Sequence, residues 1–284
     1  MNRPDIQMTR AGLDASLPVA AVDEHGRTRQ QHIAAERPLT LYIDKREIVT
    51  LMTLGREPEL LVLGWLRNQL LIDRPERIRS IQVDWETDSV AVTTHDGIDN
   101  LDSRLARKTV TTGCGQGTVF GDLMDELDRI RLQQTPVRQS TIYALLDTIN
   151  AHNEIYRRAG AVHGCALCHD DRVLHFVEDV GRHNAVDTLA GRMWLEDIDG
   201  AQLCFYTTGR LTSEMVMKVA QMGVPLLLSR SGLTQMGLDF ARRLGVTLIA
   251  RAKGRHFLVY HGAEHIVFDA MPEDTRPLKH RAAG

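Results

Sequence analysis

Cysteine is scarce in this 284-residue chain, which carries only Cys114, Cys165, Cys168 and Cys204. Four clustered thiols are too few for a disulfide framework, and they favour thiol or metal chemistry in a reducing compartment. An excess of one charge is also lacking. The 34 basic residues face 37 acidic ones, for a formal net charge of -3. No global field then draws the chain to nucleic acid or to an anionic membrane, and any anion site has to be local. No apolar run approaches the ~20 residues needed to cross a bilayer, and the opening MNRPDIQMTRAGLDASLP holds no signal-peptide stretch. A cytoplasmic protein without membrane or nucleic-acid partners is expected. There is no P-loop and no G-x-G-x-x-G fingerprint, so ATP and NAD are poorly supported. Internal repeats and low-complexity tracts are absent as well.

What is present is ordinary globular composition, 43% hydrophobic and 25% charged, enough for one large α/β domain or two modest ones. Residues 1–38 are polar, Arg-rich and unpatterned and predict a flexible tail. Residues 39–110 predict a small α+β subdomain: strands at 39–44 and 47–52, an apolar helix opened by Pro58, and a hairpin of 78–84 and 89–94. Residues 111–159 hold a cysteine loop and two connecting helices, at 121–134 and, after the N-cap Ser140, on to about residue 158. From 160 to 270 strands (162–168, 172–178, 202–206, 224–229, 246–250) alternate with helices (184–195, 213–222, 235–244). That alternation predicts a layered α/β domain with a largely parallel centre. Residues 271–284 form a polar C-terminal tail.

Five segments carry candidate chemistry. In Thr111-Thr112-Gly113-Cys114-Gly115-Gln116-Gly117-Thr118, glycines leave the Cys114 thiol unshielded and offer N–H groups to an anion. That suits a nucleophilic thiolate or a persulfide; a small residue in a turn is the plain alternative. The run His163-Gly164-Cys165-Ala166-Leu167-Cys168-His169 has the form of a zinc half-site or a redox pair. Its residues lie too close together to wrap one ion, however, and in a strand the two thiols face opposite sides, so buried strand cysteines are the better reading. No metal site is expected, and Cys204, inside an apolar strand, is read as packing. The third segment, Glu178-Asp179-Val180-Gly181-Arg182-His183-Asn184-Ala185-Val186-Asp187, crowds polar groups into a strand-to-helix turn, the edge where α/β sheets bind ligands. Arg182 there offers a fork of charge to a phosphate, and Asp179 or Asp187 a hydrogen-bond acceptor for a base or sugar. His183 and Asn184 belong to the same turn, and a solvated N-cap is the alternative. A second such turn, Thr207-Thr208-Gly209-Arg210-Leu211-Thr212-Ser213-Glu214, places small hydroxyls, Gly209 and Arg210 ahead of a helix. A fifth segment, Arg251-Ala252-Lys253-Gly254-Arg255-His256, sets three cations and a histidine beyond a strand end.

The runs EDVGRHNAVD, AVHGCAL, TTGRLTSEMVMKVAQMGVPLLLSRSGLT and LGVTLIARAKGRHFLVY, with EPELLVLGWLRNQLLI upstream, resemble the FdhD family of formate dehydrogenase accessory proteins over roughly residues 39–260. The resemblance implies a sulfur carrier, a sulfurtransferase with a cysteine persulfide intermediate. Such a protein takes sulfur from a cysteine desulfurase and passes it to the bis-molybdopterin guanine dinucleotide form of the molybdenum cofactor, before that cofactor enters formate dehydrogenase. It implies a second domain of three-layer α/β/α, cytidine-deaminase-like fold, and a homodimer. By position Cys114 corresponds to the persulfide-bearing cysteine, and Arg251 to His256 to the cofactor-binding stretch. The family's loop commonly reads C-x-x-C, whereas Gly117 stands at the second position here. A single cysteine still carries a persulfide, since transfer needs only attack on the terminal sulfur. Lys253 stands where arginine is expected, keeping the charge without the bidentate fork. The alternative is a non-catalytic cofactor-binding chaperone or insertion factor. A zinc deaminase is excluded, because H-x-E with a downstream P-C-x-x-C is missing.

Overall fold

The computed structural model describes residues 5–99, 101, 127 and 129–271, together with the backbone of 108–110 and 117–119. Its first body is a five-stranded sheet, built from β1 (Gln7–Met8), β4 (Arg37–Ile43), β5 (Arg46–Thr53), β6 (Ile78–Asp84) and β7 (Ser89–Thr94) in the order β1-β6-β7-β4-β5. Strands β4 and β7 bury every second residue, the mark of a sheet with one covered face. Helix α1 (Pro58–Asn68) covers that face; Leu61, Val62, Trp65 and Leu66 pack with Leu39, Leu41, Ile81 and Val92. Pro58 opens the helix, where its missing N–H and fixed φ cost nothing.

Residues 5–38 do not form the flexible tail expected of them. After β1, strands β2 (Ser16–Val22) and β3 (Thr28–Ala34) make an antiparallel ribbon that packs on α3 (Glu154–Ala159). Both faces of the ribbon are largely exposed, so it carries no strong alternation of apolar and polar residues for a sequence reading to find. Asp23 closes its turn by accepting from the His25 and Arg27 N–H groups at 3.0 and 2.9 Å. Farther back, Glu59 of α1 accepts from Thr9 Oγ1 and Ala11 N at 2.6 and 2.7 Å, and Trp85 Nε1 donates to the Ala11 carbonyl.

The segment β8 (Lys108–Val110) pairs antiparallel with β9 (Gly117–Val119). Of the helix expected at 121–134, residues 130–134 are irregular and most of the rest lies outside the described residues. Strand β10 (Val137–Arg138) leads into α2 (Gln139–His152); Asn153, at ψ 62°, ends it before the short α3 begins.

The second body is a mixed six-stranded sheet of β11 (His163–His169), β12 (Arg172–Asp179), β13 (Cys204–Thr207), β14 (Leu226–Ser229), β15 (Thr247–Lys253) and β16 (His256–His261). Its order is β12-β11-β13-β14-β15-β16, with β13, β14 and β15 parallel and the other pairings antiparallel. Helices α4 (Arg182–Glu196), α5 (Ser213–Gln221) and α6 (Gln235–Leu244) cover one face around Phe205, Leu227, Leu248 and Met215. Helix α2 covers the other with Ile142, Leu145, Leu146 and Ile149, and β17 (Ile266–Val267) pairs with β10 beside it. The result is a three-layer α/β/α arrangement.

The two bodies are joined where α1 crosses α4. A Cβ added at Gly64 would overlap the Asp187 carbonyl oxygen, and one at Gly191 the Leu60 carbonyl oxygen, so two glycines bring these helices backbone to backbone.

Candidate functional site

One end of the six-stranded sheet gathers most of the residues singled out by sequence. Strand β11 runs antiparallel to β13, with Cys165 opposite Thr207, so the start of β11 meets the turn after β13. Thr208 N–H donates to the Gly164 carbonyl at 2.9 Å, and Gly164 N–H donates to Thr208 Oγ1 at 3.0 Å. His163 Nδ1 lies 3.3 Å from the same hydroxyl. The turn after β14 joins on: Arg230 N–H donates to the Thr207 carbonyl, Ser229 Oγ to the Gly209 carbonyl, and Arg251 N–H to the Ser231 carbonyl. The start of β11 and the turns after β13 and β14 thus share one edge, with Arg251 of β15 beside them. Arg210, Arg230 and Arg251 are exposed along it, and the Arg230 guanidinium sits 5.7 Å over the Tyr156 ring. Arg182 is buried, its stem lying across Gly209 so closely that a Cβ there would come within 2.6 Å of Arg182 Cδ. Gly209 is therefore required for that close passage.

The acidic and amide residues of the Glu178 to Asp187 run turn inward instead. Glu178 accepts from the Ile155 and Tyr156 N–H groups at 2.8 and 2.9 Å, tying the first turn of α3. Asp179 accepts from Thr53 Oγ1 at 2.7 Å, Leu54 N–H at 3.1 Å, Gly181 N–H at 3.1 Å and Asn184 Nδ2 at 2.8 Å. Asn184 also donates to the Met52 carbonyl. Asp187 is fully buried, with Lys218 Nζ at 2.8 Å on one oxygen and Asn68 Nδ2 at 2.6 Å on the other. Lys218 Nζ is 3.5 Å from Glu214 Oε1, and His183 Nε2 is 3.6 Å from Glu214 Oε2. Burial alone would pull the Lys218 pKa down, but Asp187 and Glu214 outweigh it and hold the ammonium charged. His183 is the reverse case: burial, against the pull of Glu214, pushes its pKa down to about 3, so it is neutral. The expectation that Asp179 or Asp187 meets a base or sugar is therefore corrected. Their lone pairs are committed to β5, α1 and α5, and both carboxylates lie beneath the surface.

The stretch from Arg251 to His256 is a hairpin tip, not the overhang past a strand that sequence suggested. Arg251 to Lys253 end β15, Gly254 turns at φ +57°, and His256 begins β16. Ala252 is packed into the core under α2, while Lys253, Gly254, Arg255 and His256 are exposed. Arg255 stands 5.9 Å over the Tyr143 ring and so points toward α2. Arg251 instead lines a cleft of about 320 Å³ with Leu233, Thr234, Gln235, Leu238 and Tyr260. A second cleft, of about 180 Å³, opens at the opposite end of the sheet between α2 and Leu203, Leu226 and Ile266. It contains none of the residues proposed from sequence.

Cys114 lies outside the described residues. The other three thiols are buried and free. Cys165 packs toward α4 and Cys168 and Cys204 toward α2, on opposite faces of the sheet. Burial pushes the Cys165 and Cys168 thiols up to about 12 and raises Cys204 as well. None is a ready nucleophile at neutral pH.

The sequence matches the profile of the FdhD/NarQ family over residues 34–267, most of the chain. This chain belongs to that family. Among its FdhD/NarQ relatives is a sulfur carrier protein FdhD of Wolinella succinogenes, 30% identical across 80% of each chain. Another, from Listeria monocytogenes, is 26% identical across 84% of this chain and 92% of the relative. A crystal structure of a candidate formate dehydrogenase accessory protein from Desulfotalea psychrophila superposes with a TM-score of 0.71, at 27% identity, over 89% of this chain and 98% of that one. No helix among the described residues is long and apolar enough to cross a membrane. Sequence reasoning does not place His163, Ser229 and Arg230 on the polar edge, whereas it singles out the turn holding Thr208 with Gly209 and Arg210. Arg230 follows β14 as Arg210 follows β13, a repeated strand-then-cation pattern that was legible.

Proposed function

We propose that this FdhD/NarQ chain is a sulfur carrier serving a formate dehydrogenase. It accepts sulfur on Cys114 from a cysteine desulfurase and hands it to bis-molybdopterin guanine dinucleotide, held as substrate, before insertion. What carries the proposal is the coincidence of two things: relatives named sulfur carrier proteins over four-fifths of their length, and a sheet edge crowded with guanidinium groups and hydroxyls. A pyrophosphate-bearing nucleotide is the kind of anion such an edge holds, since arginine forks match phosphate oxygens. The cleft beside Arg251, walled by Leu233, Leu238 and Tyr260, offers apolar surface for the attached ring.

In the loading step the Cys114 thiolate attacks the terminal sulfur of the desulfurase persulfide, and the desulfurase cysteine leaves as thiolate. The step is redox-neutral. Release of that sulfur as sulfide takes two electrons. Position 117 is glycine, and Cys165, Cys168 and Cys204 are buried, so this chain's other cysteines are not placed to supply them. An external thiol attacking Cys114 would close the balance, leaving a mixed disulfide. The same burial favours one alternative, a chaperone that binds the cofactor without carrying sulfur. Formate dehydrogenase activity in a strain whose only copy is Cys114→Ala tests the choice. A sulfur carrier loses maturation; full activity removes the persulfide and leaves the chaperone. Replacing Lys253 and Arg255 with glutamine should weaken guanosine diphosphate binding, and unchanged affinity would move the substrate off the hairpin.

A further inference from the structure

We propose that Cys168 and Cys204 form a second thiol site, a cross-strand dithiol at the floor of the cleft beneath α2 that captures a trivalent aryl-arsenic centre. The site is independent of Cys114 and lies at the end of the sheet away from the polar edge.

Pairing of β11 with β13 puts Cys168 directly opposite Cys204. Both side chains lie on the α2 face, in one apolar cluster with Ile142, Leu226 and Ile266. Cys204 lines the cleft of about 180 Å³, whereas Cys168 has no exposed surface. A reagent entering the cleft therefore meets Cys204 first and finds Cys168 across the ladder. The spacing selects what the pair holds. Thr208 N–H donates to the Gly164 carbonyl, and the register of the two strands runs on without a shift, so Cys168 and Cys204 fall on the wide, hydrogen-bonded kind of pair. The Cβ atoms of such a pair stand about 5.5 Å apart, against roughly 3.5–4.5 Å in a disulfide. A direct S–S bond would draw the strands together by about 1 Å, while one bridging atom spans the gap with both strands in place. Among the described residues no group of three metal-binding side chains occurs, so a four-coordinate ion such as zinc lacks ligands here. Charge selects further. Burial raises both thiols, Cys168 to about 12, and a product held in such surroundings has to be neutral. Arsenic bonded to one aryl carbon and two sulfurs is neutral. It forms by condensation: the arsenic–oxygen bond of an arsine oxide breaks, two arsenic–sulfur bonds form, and both thiol protons leave on that oxygen as water. Arsenic stays trivalent, so no oxidant or reductant takes part. Alkylation draws instead on the thiolate, which this pair scarcely supplies. Ile142, Leu145 and Leu226 wall the cleft and give the aryl ring its apolar contact.

Phenylarsine oxide added to the reduced, native full chain at neutral pH, followed by gel filtration in excess mercaptoethanol and intact mass, tests the site. The monothiol strips arsenic held by a single sulfur, so only a dithiol retains it. Wild type and Cys114→Ala each keep one phenylarsenic group per chain with the loss of two hydrogens, and Cys168→Ala and Cys204→Ala keep none. Peptide mapping of the wild-type adduct places the bridge on Cys168 and Cys204, a result that stands even if an alanine variant fails to fold. Diamide, which joins thiols spaced for a disulfide, leaves both thiols free in the native chain. No arsenic retained by wild type, retention in either Cys168→Ala or Cys204→Ala, a bridge mapped to Cys114, or a disulfide between Cys168 and Cys204 after diamide overturns the proposal.

Discussion

Replacing Lys218 by methionine should cost a large part of the stability of the fold while leaving its anion chemistry alone. Lys218 is 2% exposed and Asp187 is fully buried, with 2.8 Å between Nζ and Oδ2. The ammonium also lies 3.5 Å from Glu214 Oε1. Methionine fills nearly the same volume, so cavity formation is a minor part of the change. What remains is two buried carboxylates without their shared cation, since Asn68 satisfies only one oxygen of Asp187. Breaking one partner out of a buried pair costs about 3–5 kcal/mol, against a total of about 5–15 kcal/mol for an ordinary domain. Urea unfolding would show a lower midpoint with an unchanged slope. Asp187→Asn alone should also be severe. The double variant should be less destabilised than the two single losses summed, by about 1–3 kcal/mol. Where the variants remain folded, pyrophosphate affinity should equal wild type, because Asp187 is scaffold. A loss below about 1 kcal/mol in both single variants, or strict additivity in the double, would refute the ion-pair reasoning.

Other outcomes follow from the same geometry. His183, pushed down to about 3 chiefly by burial, stays neutral in the fold, whereas the unfolded chain protonates it near ~6.5. The unfolded state binds the extra proton between those values, so stability is fully present above that range and falls as pH drops through it. The contribution is up to about 1.4 kcal/mol per pH unit; urea midpoints across mildly acid pH should show it in wild type and lose it in His183→Gln, and equal slopes would contradict it. Gly64→Ala should force α1 away from the Asp187 carbonyl and cost about 1–3 kcal/mol or more, read as a lowered thermal midpoint; a neutral substitution would mean the helices do not cross so closely. Alkylation of the native protein at neutral pH should spare Cys165, Cys168 and Cys204, which react only after denaturation, as peptide mapping would show; rapid native labelling of any of them would mean the sheet opens.

The alternating strands and helices after residue 160 were legible because each is short, apolar and closed by a turn residue. The layered fold therefore followed from sequence, and the loss of β16 came from HFLVYH lacking clean alternation. The ribbon of β2 and β3 escaped for a related reason: exposed on both faces, it has no apolar side to mark it. The acids of the Glu178 to Asp187 run read in sequence as ligand contacts, but the structure turns them inward. The partners that claim its acids, Thr53, Asn68 and Lys218, are remote in sequence, and only tertiary packing brings them together. The grouping of His163 with Thr208 and Arg230 likewise depends on strand order, which alternation alone does not fix.

Intact mass after incubation with a cysteine desulfurase and cysteine, for wild type beside Cys114→Ala, tests sulfur carriage most directly. A carrier using Cys114 gains the mass of one sulfur atom, removable by reductant, in wild type only. No gain, or a gain that survives the substitution, would contradict the assignment of Cys114 as the carrier.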